Sequence, residues 1–131
     1  MVAKMFKETV ICIVIVVLIF SLDMFTQGYT DRTTAEINEI FSELKDLAVK
    51  EDKEKMETKI AELDEKWSEK HDKLAYYIEH DELEKVDTAI VSAKSYIQTE
   101  DYPSAASELD VGKFVLEHIQ EKYKFNLVNL F

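Results

Sequence analysis

The chain has 131 residues with only two glycines and one proline, which excludes an all-β fold built from many turns. Its hydrophobic fraction of 47% is too high for an intrinsically disordered chain. Its formal net charge of −11 disfavours nucleic acid and anionic lipid headgroups as main partners, because both are bound through lysine and arginine.

The first predicted element is an apolar helix. Residues 9–22 carry no charge, and a helix over residues 5–25 is about 30 Å long, which matches the hydrocarbon core of a bilayer. Lys4 and Lys7 favour a cytoplasmic N-terminus. We therefore predict a single-pass anchor in the cell membrane over residues 1–28 and an acidic extracytoplasmic helical domain over residues 29–131.

Other interpretations of the apolar segment stay open. A cleaved signal peptide has a similar apolar length, but a cleavage site of small residues is missing here. A buried core helix is disfavoured because the segment has no polar face. Lipidation of Cys12, the single cysteine, is disfavoured because Ile11 rather than a small residue precedes it. We favour the retained anchor.

The predicted domain begins with an amphipathic helix. Residues 33–36 (TTAE) have the pattern of a capping box, with a hydroxyl at the N-cap and a carboxylate three residues later. The apolar pattern lapses over residues 50–55 (KEDKEK), which predicts a short connection or an exposed stretch of helix. The first apolar stripe contains Ile37, Ile40, Phe41, Leu44, Leu47 and Ala48.

A second and a third helix follow. His71 lies one turn from Trp67 on the same face, where it is expected to pack against the indole. Asp81 is the predicted N-cap of the third helix, with Glu84 three residues later. The second stripe contains Met56, Ile60, Leu63, Trp67, Leu74 and Ile78, and the third contains Leu83, Val86, Ile90, Ala93 and Ile97.

The fourth helix is expected to have Pro103 in its first turn, and its stripe contains Ala105, Leu109, Gly112, Leu116, Ile119 and Tyr123. Gly112 costs about 1 kcal/mol in helix propensity, which favours a close approach of another helix at this position. The stripes together predict an all-α fold, in which an N-terminal transmembrane helix is followed by an antiparallel bundle of three to four helices.

No sequence motif for catalysis, cofactor binding or metal binding is found. The histidine at position 80 lies between two acids at a helix junction, where a polar loop residue is a simpler interpretation than a metal ligand. We therefore expect no catalytic, cofactor or metal site and no enzymatic activity.

Partner binding is the remaining kind of site. The adjacent Tyr76 and Tyr77 cannot both face the core, and tyrosine is favoured at interfaces. Residues 125–131 are apolar enough that the bundle, the bilayer or a partner is expected to cover them. The predicted partner-binding residues are Tyr76, Tyr77, His80, Phe125, Leu127, Leu130 and Phe131.

Three segments resemble a known family: residues 66–87 with Trp67 and Ile78-Glu79-His80, residues 95–109, and the sequence Asn129-Leu130-Phe131. Together the region from residue 41 to residue 131 resembles the domain-of-unknown-function family numbered 4363. The resemblance implies a small, N-terminally anchored helical protein, chiefly of Gram-positive spore-forming bacteria, with no established activity. It also implies an accessory subunit of a polytopic membrane protein.

Two functional hypotheses follow. The first is a structural or interaction subunit that docks on a polytopic membrane protein through residues 125–131 and an exposed tyrosine. The alternative is an extracytoplasmic ligand-sensing or peptide-binding helical module, which predicts an apolar cavity between helices. Self-association through the amphipathic stripes stays open in both cases.

Overall fold

Four helices make up the computed structural model, which describes the backbone of residues 2–130 and the side chains of residues 2–124. They are α1 (Val2–Val49), α2 (Lys53–Leu74), α3 (His80–Gln98) and α4 (Tyr102–Leu130), and the described residues form no strand. Connections of three to five residues reverse the chain after each helix, so neighbours are antiparallel. Helices α1 and α3 each pack against α2 and α4. The predicted all-α bundle is confirmed.

Helix α1 is uninterrupted over 48 residues, or about 72 Å. The capping box predicted at residues 33–36 is therefore wrong, and the predicted domain boundary after residue 28 also falls within this helix. The Thr34 hydroxyl donates to the carbonyl oxygen of Thr30 at 2.7 Å, and the Thr30 hydroxyl donates to that of Thr26 at 2.7 Å. A hydroxyl bonded to the carbonyl one turn earlier is satisfied inside a helix and caps nothing.

The two halves of α1 have different surroundings. Its first half carries the apolar segment (residues 5–25). An 18-residue window of this helix has a mean hydropathy of 2.6, and none of its residues is buried in the part of the chain that the structure describes. By length and composition this one helix is able to cross a membrane. Its second half is packed into the bundle from Thr30 to Ala48. The bundle therefore has a proximal end, next to the apolar segment, and a distal end.

The core is formed by the predicted apolar stripes. Every residue of the four stripes is buried except Leu47 and Tyr123, which are partly buried against the core. The spacing of 3.6 residues per turn had placed these side chains on one face of each helix, and packing the four faces together removes them from water. The stripes therefore predicted the core correctly.

The two distal turns share one backbone conformation. Glu51 and Glu100 have φ values of 56° and 60°, in the left-handed region that helices commonly use for their last turn. In each turn the amide of the next residue bonds the carbonyl five residues earlier, at 3.1 Å and 2.9 Å. The first of these turns lies in residues 50–55, where the apolar pattern lapses, so a short connection is confirmed there.

Helix α3 begins earlier than predicted. Its N-cap is Glu79, whose side chain makes no capping hydrogen bond, so the prediction of Asp81 as the N-cap is wrong. Asp81 lies instead in the first turn, where a carboxylate interacts favourably with the helix dipole. This contribution does not depend on the capping geometry that the sequence pattern suggested.

Candidate functional site

The connection between α2 and α3 packs against α1 at the proximal end. The Tyr77 hydroxyl lies 2.6 Å from Thr30 Oγ1 and 3.3 Å from the carbonyl oxygen of Thr26. Because the Thr30 hydroxyl already donates to Thr26, the phenol donates to Thr30 Oγ1. Burial raises the pKa of Tyr77, and the hydrogen bond with Thr30 offsets part of that rise. The phenol therefore keeps the proton that it donates.

We expect Tyr77→Phe to lower the free energy of unfolding by about 1 kcal/mol, because a half-buried hydrogen bond between α1 and the α2–α3 connection is lost. Denaturant unfolding of the full chain in detergent micelles, followed by the fluorescence of Trp67, the single tryptophan, measures this loss. Tyr76→Phe is the matched control, because the Tyr76 side chain is 90% exposed. An equal loss in both variants would contradict the assignment.

Helix α4 completes the proximal end. The backbone amide of Glu79 donates to the Tyr123 hydroxyl at 2.9 Å, and the rings of Tyr77 and Tyr123 meet edge to face at 6.3 Å. A small polar cavity of about 170 Å³ lies between these groups and α1. Its lining residues are Asp23, Thr26, Gln27, Thr30, Tyr77 and Tyr123. Three parts of the chain that are distant in sequence therefore meet at one polar cluster.

A buried carboxylate joins α3 to α4 close by. Glu82 is 7% exposed, and its Oε1 lies 3.5 Å from Lys122 Nζ and 3.8 Å from His118 Nε2. Burial acts to lower the pKa of Lys122, but the hydrogen bond with Glu79 and the charges of Glu79 and Glu82 outweigh it and raise the pKa. Glu82 is therefore held against a positive charge, which a buried carboxylate requires.

The structure places three of the predicted partner-binding residues at this end. Tyr76 is exposed and Tyr77 is half-buried, so one of the two adjacent tyrosines faces away from the core as predicted. His80 is exposed in the first turn of α3, with its Nε2 3.8 Å from a Glu84 oxygen. The side chains of Phe125, Leu127 and Leu130, and all of Phe131, lie outside the described residues.

Two features of the surface were not predicted from sequence. At the proximal end, Lys70 and Lys73 lie over the Tyr29 ring, with each Nζ about 6 Å from its centroid (5.8 Å and 6.0 Å). On α4, nearer the distal end than Tyr123, the side chains of Val111 and Phe114 are 46% and 70% exposed. The spacing of Lys70 and Lys73, three residues apart near a helix end, is the only sequence signal of the first feature.

Comparison with known proteins identifies a family for this chain. A protein-family model described as Domain of unknown function (DUF4363) matches residues 24–130. No curated protein and no solved structure matches the chain. The match covers the part of α1 that packs in the bundle and all of α2, α3 and α4, and it leaves nearly all of the apolar segment outside.

Proposed function

The chain belongs to the DUF4363 family of unknown function, and we propose that it is a membrane-anchored interaction subunit that docks on a polytopic membrane protein. The observation that carries this proposal is the continuity of α1. An apolar stretch with an 18-residue window in which no residue is buried runs without a break into the core of the bundle. A helix of this kind holds the bundle at a fixed place relative to the membrane.

A rigid connection between the anchor and the bundle favours docking on a partner, whereas a flexible linker would be enough if the bundle only had to stay near the membrane. The apolar segment accounts for about 30 Å of α1, and the following residues carry the helix about 36 Å farther along the same axis. The height and rotation of the bundle above the bilayer are then fixed, which a flexible linker would leave free. Fixed geometry lowers the entropic cost of binding a partner that is itself fixed in the membrane. In this proposal the N-terminus is cytoplasmic and the bundle extracytoplasmic.

The proposed contact surface is the proximal end. Tyr76 and His80 are exposed there, and Tyr123 brings α4 to the same end. Because α4 runs towards the membrane as far as Leu130, residues 125–130, which are mostly apolar, follow Tyr123 in that direction. They would pack against apolar surface of the partner. We propose a binding role and no enzymatic activity.

Cross-linking from two positions tests the docking. A photoreactive amino acid replaces His80 at the proximal end or, as the matched control, Val49, which is 75% exposed at the distal end. The full chain is then irradiated in its own membranes and purified, and its adducts are identified by mass spectrometry. We expect one polytopic protein to be captured from position 80 and not from position 49. Capture of no protein from position 80, or equal capture from both, would overturn the proposal.

The role of residues 125–131 is tested by replacing them with a glycine–serine segment of equal length. We expect co-purification of the cross-linked protein in mild detergent to fall at least tenfold, a loss of about 1.4 kcal/mol in binding free energy. The control replaces Lys50 and Glu51 at the distal end with serine and leaves the proximal end intact. If co-purification survives the replacement of residues 125–131, these residues do not carry the contact.

A further inference from the structure

An apolar cavity of about 390 Å³ opens where the apolar segment meets the bundle. Helix α1 contributes Leu22, Phe25 and Tyr29 to its wall, and the end of α2 with the following connection contributes Lys73, Tyr76 and Tyr77. It shares Thr26 and Tyr77 with the polar cavity that Asp23 and Tyr123 line. The proximal end therefore has one polar and one apolar recess.

The height of this cavity follows from the position of its walls along α1. If residues 5–25 cross the hydrocarbon core, Leu22 lies about 5 Å inside its edge and Tyr29 about 6 Å outside it. The cavity then spans the boundary between acyl chains and headgroups. Tyrosine is enriched at this depth because its ring is apolar and its hydroxyl polar.

The charge beside the cavity differs from that of the chain as a whole. Seven lysines of the bundle form ion pairs, namely Lys45, Lys53, Lys55, Lys59, Lys66, Lys94 and Lys122. Lys70 and Lys73 have no acidic partner within 4 Å among the described residues, and both ammonium groups lie over Tyr29. Asp72, between them in sequence, is directed towards solvent, with its side chain 89% exposed. Two cations therefore stand unneutralised at the rim of an apolar recess.

We propose that this cavity holds one anionic phospholipid, with an acyl chain against Leu22 and Phe25 and the phosphate between Lys70 and Lys73. The acidic residues at the distal end contribute to the net charge of −11 but act only weakly on this site, because salt screens charges more than about 10 Å away. The inference rests on the membrane anchoring in the proposed function but not on docking to a partner. A lipid test without any partner protein therefore separates the two.

Photolabelling in vesicles tests the site. The full chain is reconstituted into vesicles of equal phosphatidylglycerol and phosphatidylcholine, and one of the two lipids carries a diazirine on its acyl chain. We expect the phosphatidylglycerol probe to label the peptides that contain residues 22–29 and 73–77 several-fold more than the phosphatidylcholine probe does. Each lysine is expected to contribute about a fivefold preference for the anionic probe. The double variant Lys70→Gln/Lys73→Gln should therefore label equally with the two probes.

The matched control is Lys50→Gln/Lys113→Gln, which makes the same change in charge away from the proximal end at lysines without an acidic partner among the described residues. Retained preference in this control supports the site, provided that both variants keep the helical circular dichroism of the parent. Equal labelling by the two probes, an equal loss in both double variants, or failure of the chain to insert into the vesicles would each overturn the proposal. Labelled peptides confined to other parts of α1 would also overturn it.

Discussion

Replacing Gly112 with alanine is expected to destabilise the bundle, although alanine is the better helix former. A Cβ at this position would lie 2.6 Å from Cε1 and Cζ of the Phe41 ring. Phe41 is 1% exposed, so its ring cannot move into solvent and α1 and α4 must separate or the core must rearrange. Overpacking costs about 1–3 kcal/mol and improved helix propensity offsets about 1 kcal/mol, so we expect a net loss of up to about 2 kcal/mol.

The chain contains its own control for this experiment. Gly28 also lies inside a helix, but a Cβ there would meet no atom within 4 Å. Gly28→Ala should therefore raise the free energy of unfolding, by up to about 1 kcal/mol. Both variants are measured in the full chain in micelles by denaturant unfolding, with the fluorescence of Trp67 as the signal. If the two substitutions stabilise the chain equally, the close approach of α1 and α4 at Gly112 is wrong.

A second substitution identifies the atoms responsible. Phe41→Leu removes the far part of the ring, so Gly112→Ala should cost much less in that background than in the parent chain. The double-mutant cycle then gives a coupling energy of at least about 1 kcal/mol between residues 41 and 112, as expected for residues in direct contact. Additive losses would instead place the strain between Gly112 and other neighbours, such as Ala89, whose Cβ would lie at 3.4 Å.

Some sequence patterns were sufficient to predict which residues form the core, and others were not sufficient to predict where a helix begins. The spacing of apolar residues identified the core because the helical period determines which side chains share a face. Gly112 lies on the apolar face of its helix although it has no side chain, which indicated a close contact between helices at this position. The capping box at residues 33–36 failed because a hydroxyl followed three residues later by a carboxylate occurs both at a helix start and inside a continuous helix, where Thr33 and Thr34 are buried. Only the packing of α1 into the bundle selects the second arrangement.

The proximal site was predictable only in part. The adjacency of Tyr76 and Tyr77 was enough to predict that one of them is exposed. The bond between Tyr123 and the Glu79 amide joins residues 44 positions apart, and the contact of Lys70 with Tyr29 joins α2 to α1. Such contacts depend on how the helices are arranged, which the periodicity of a single sequence does not encode. The net charge of the chain also did not reveal the two lysines at the proximal end. It is a single sum, and it does not distinguish lysines in ion pairs from Lys70 and Lys73.

Trp67→Ala is expected to cause the largest loss of stability, about 3–5 kcal/mol, because a tryptophan only 3% exposed is replaced by a cavity. The indole is also held by a polar contact. Its Nε1–H donates to Asp87 Oδ1, and the other Asp87 oxygen lies 3.3 Å from His71 Nε2. His71 in turn meets the indole edge to face at 5.9 Å, as its spacing from Trp67 had predicted. Asp87 of α3 thus holds two neighbouring side chains of α2, at the least extensive of the four helix interfaces.

Trp67→Phe separates the hydrogen bond from the packing. Phenylalanine keeps much of the apolar volume but cannot donate, so we expect a smaller loss, of which about 1.5–3 kcal/mol comes from the hydrogen bond to a charged acceptor. Thermal unfolding followed by far-ultraviolet circular dichroism is used, since these variants lack the only tryptophan. In the cycle with Asp87→Ala, the double variant should lose clearly less than the sum of the single losses. If the two losses simply add, the bond between Trp67 and Asp87 contributes nothing, and packing alone holds α2 to α3 at this point.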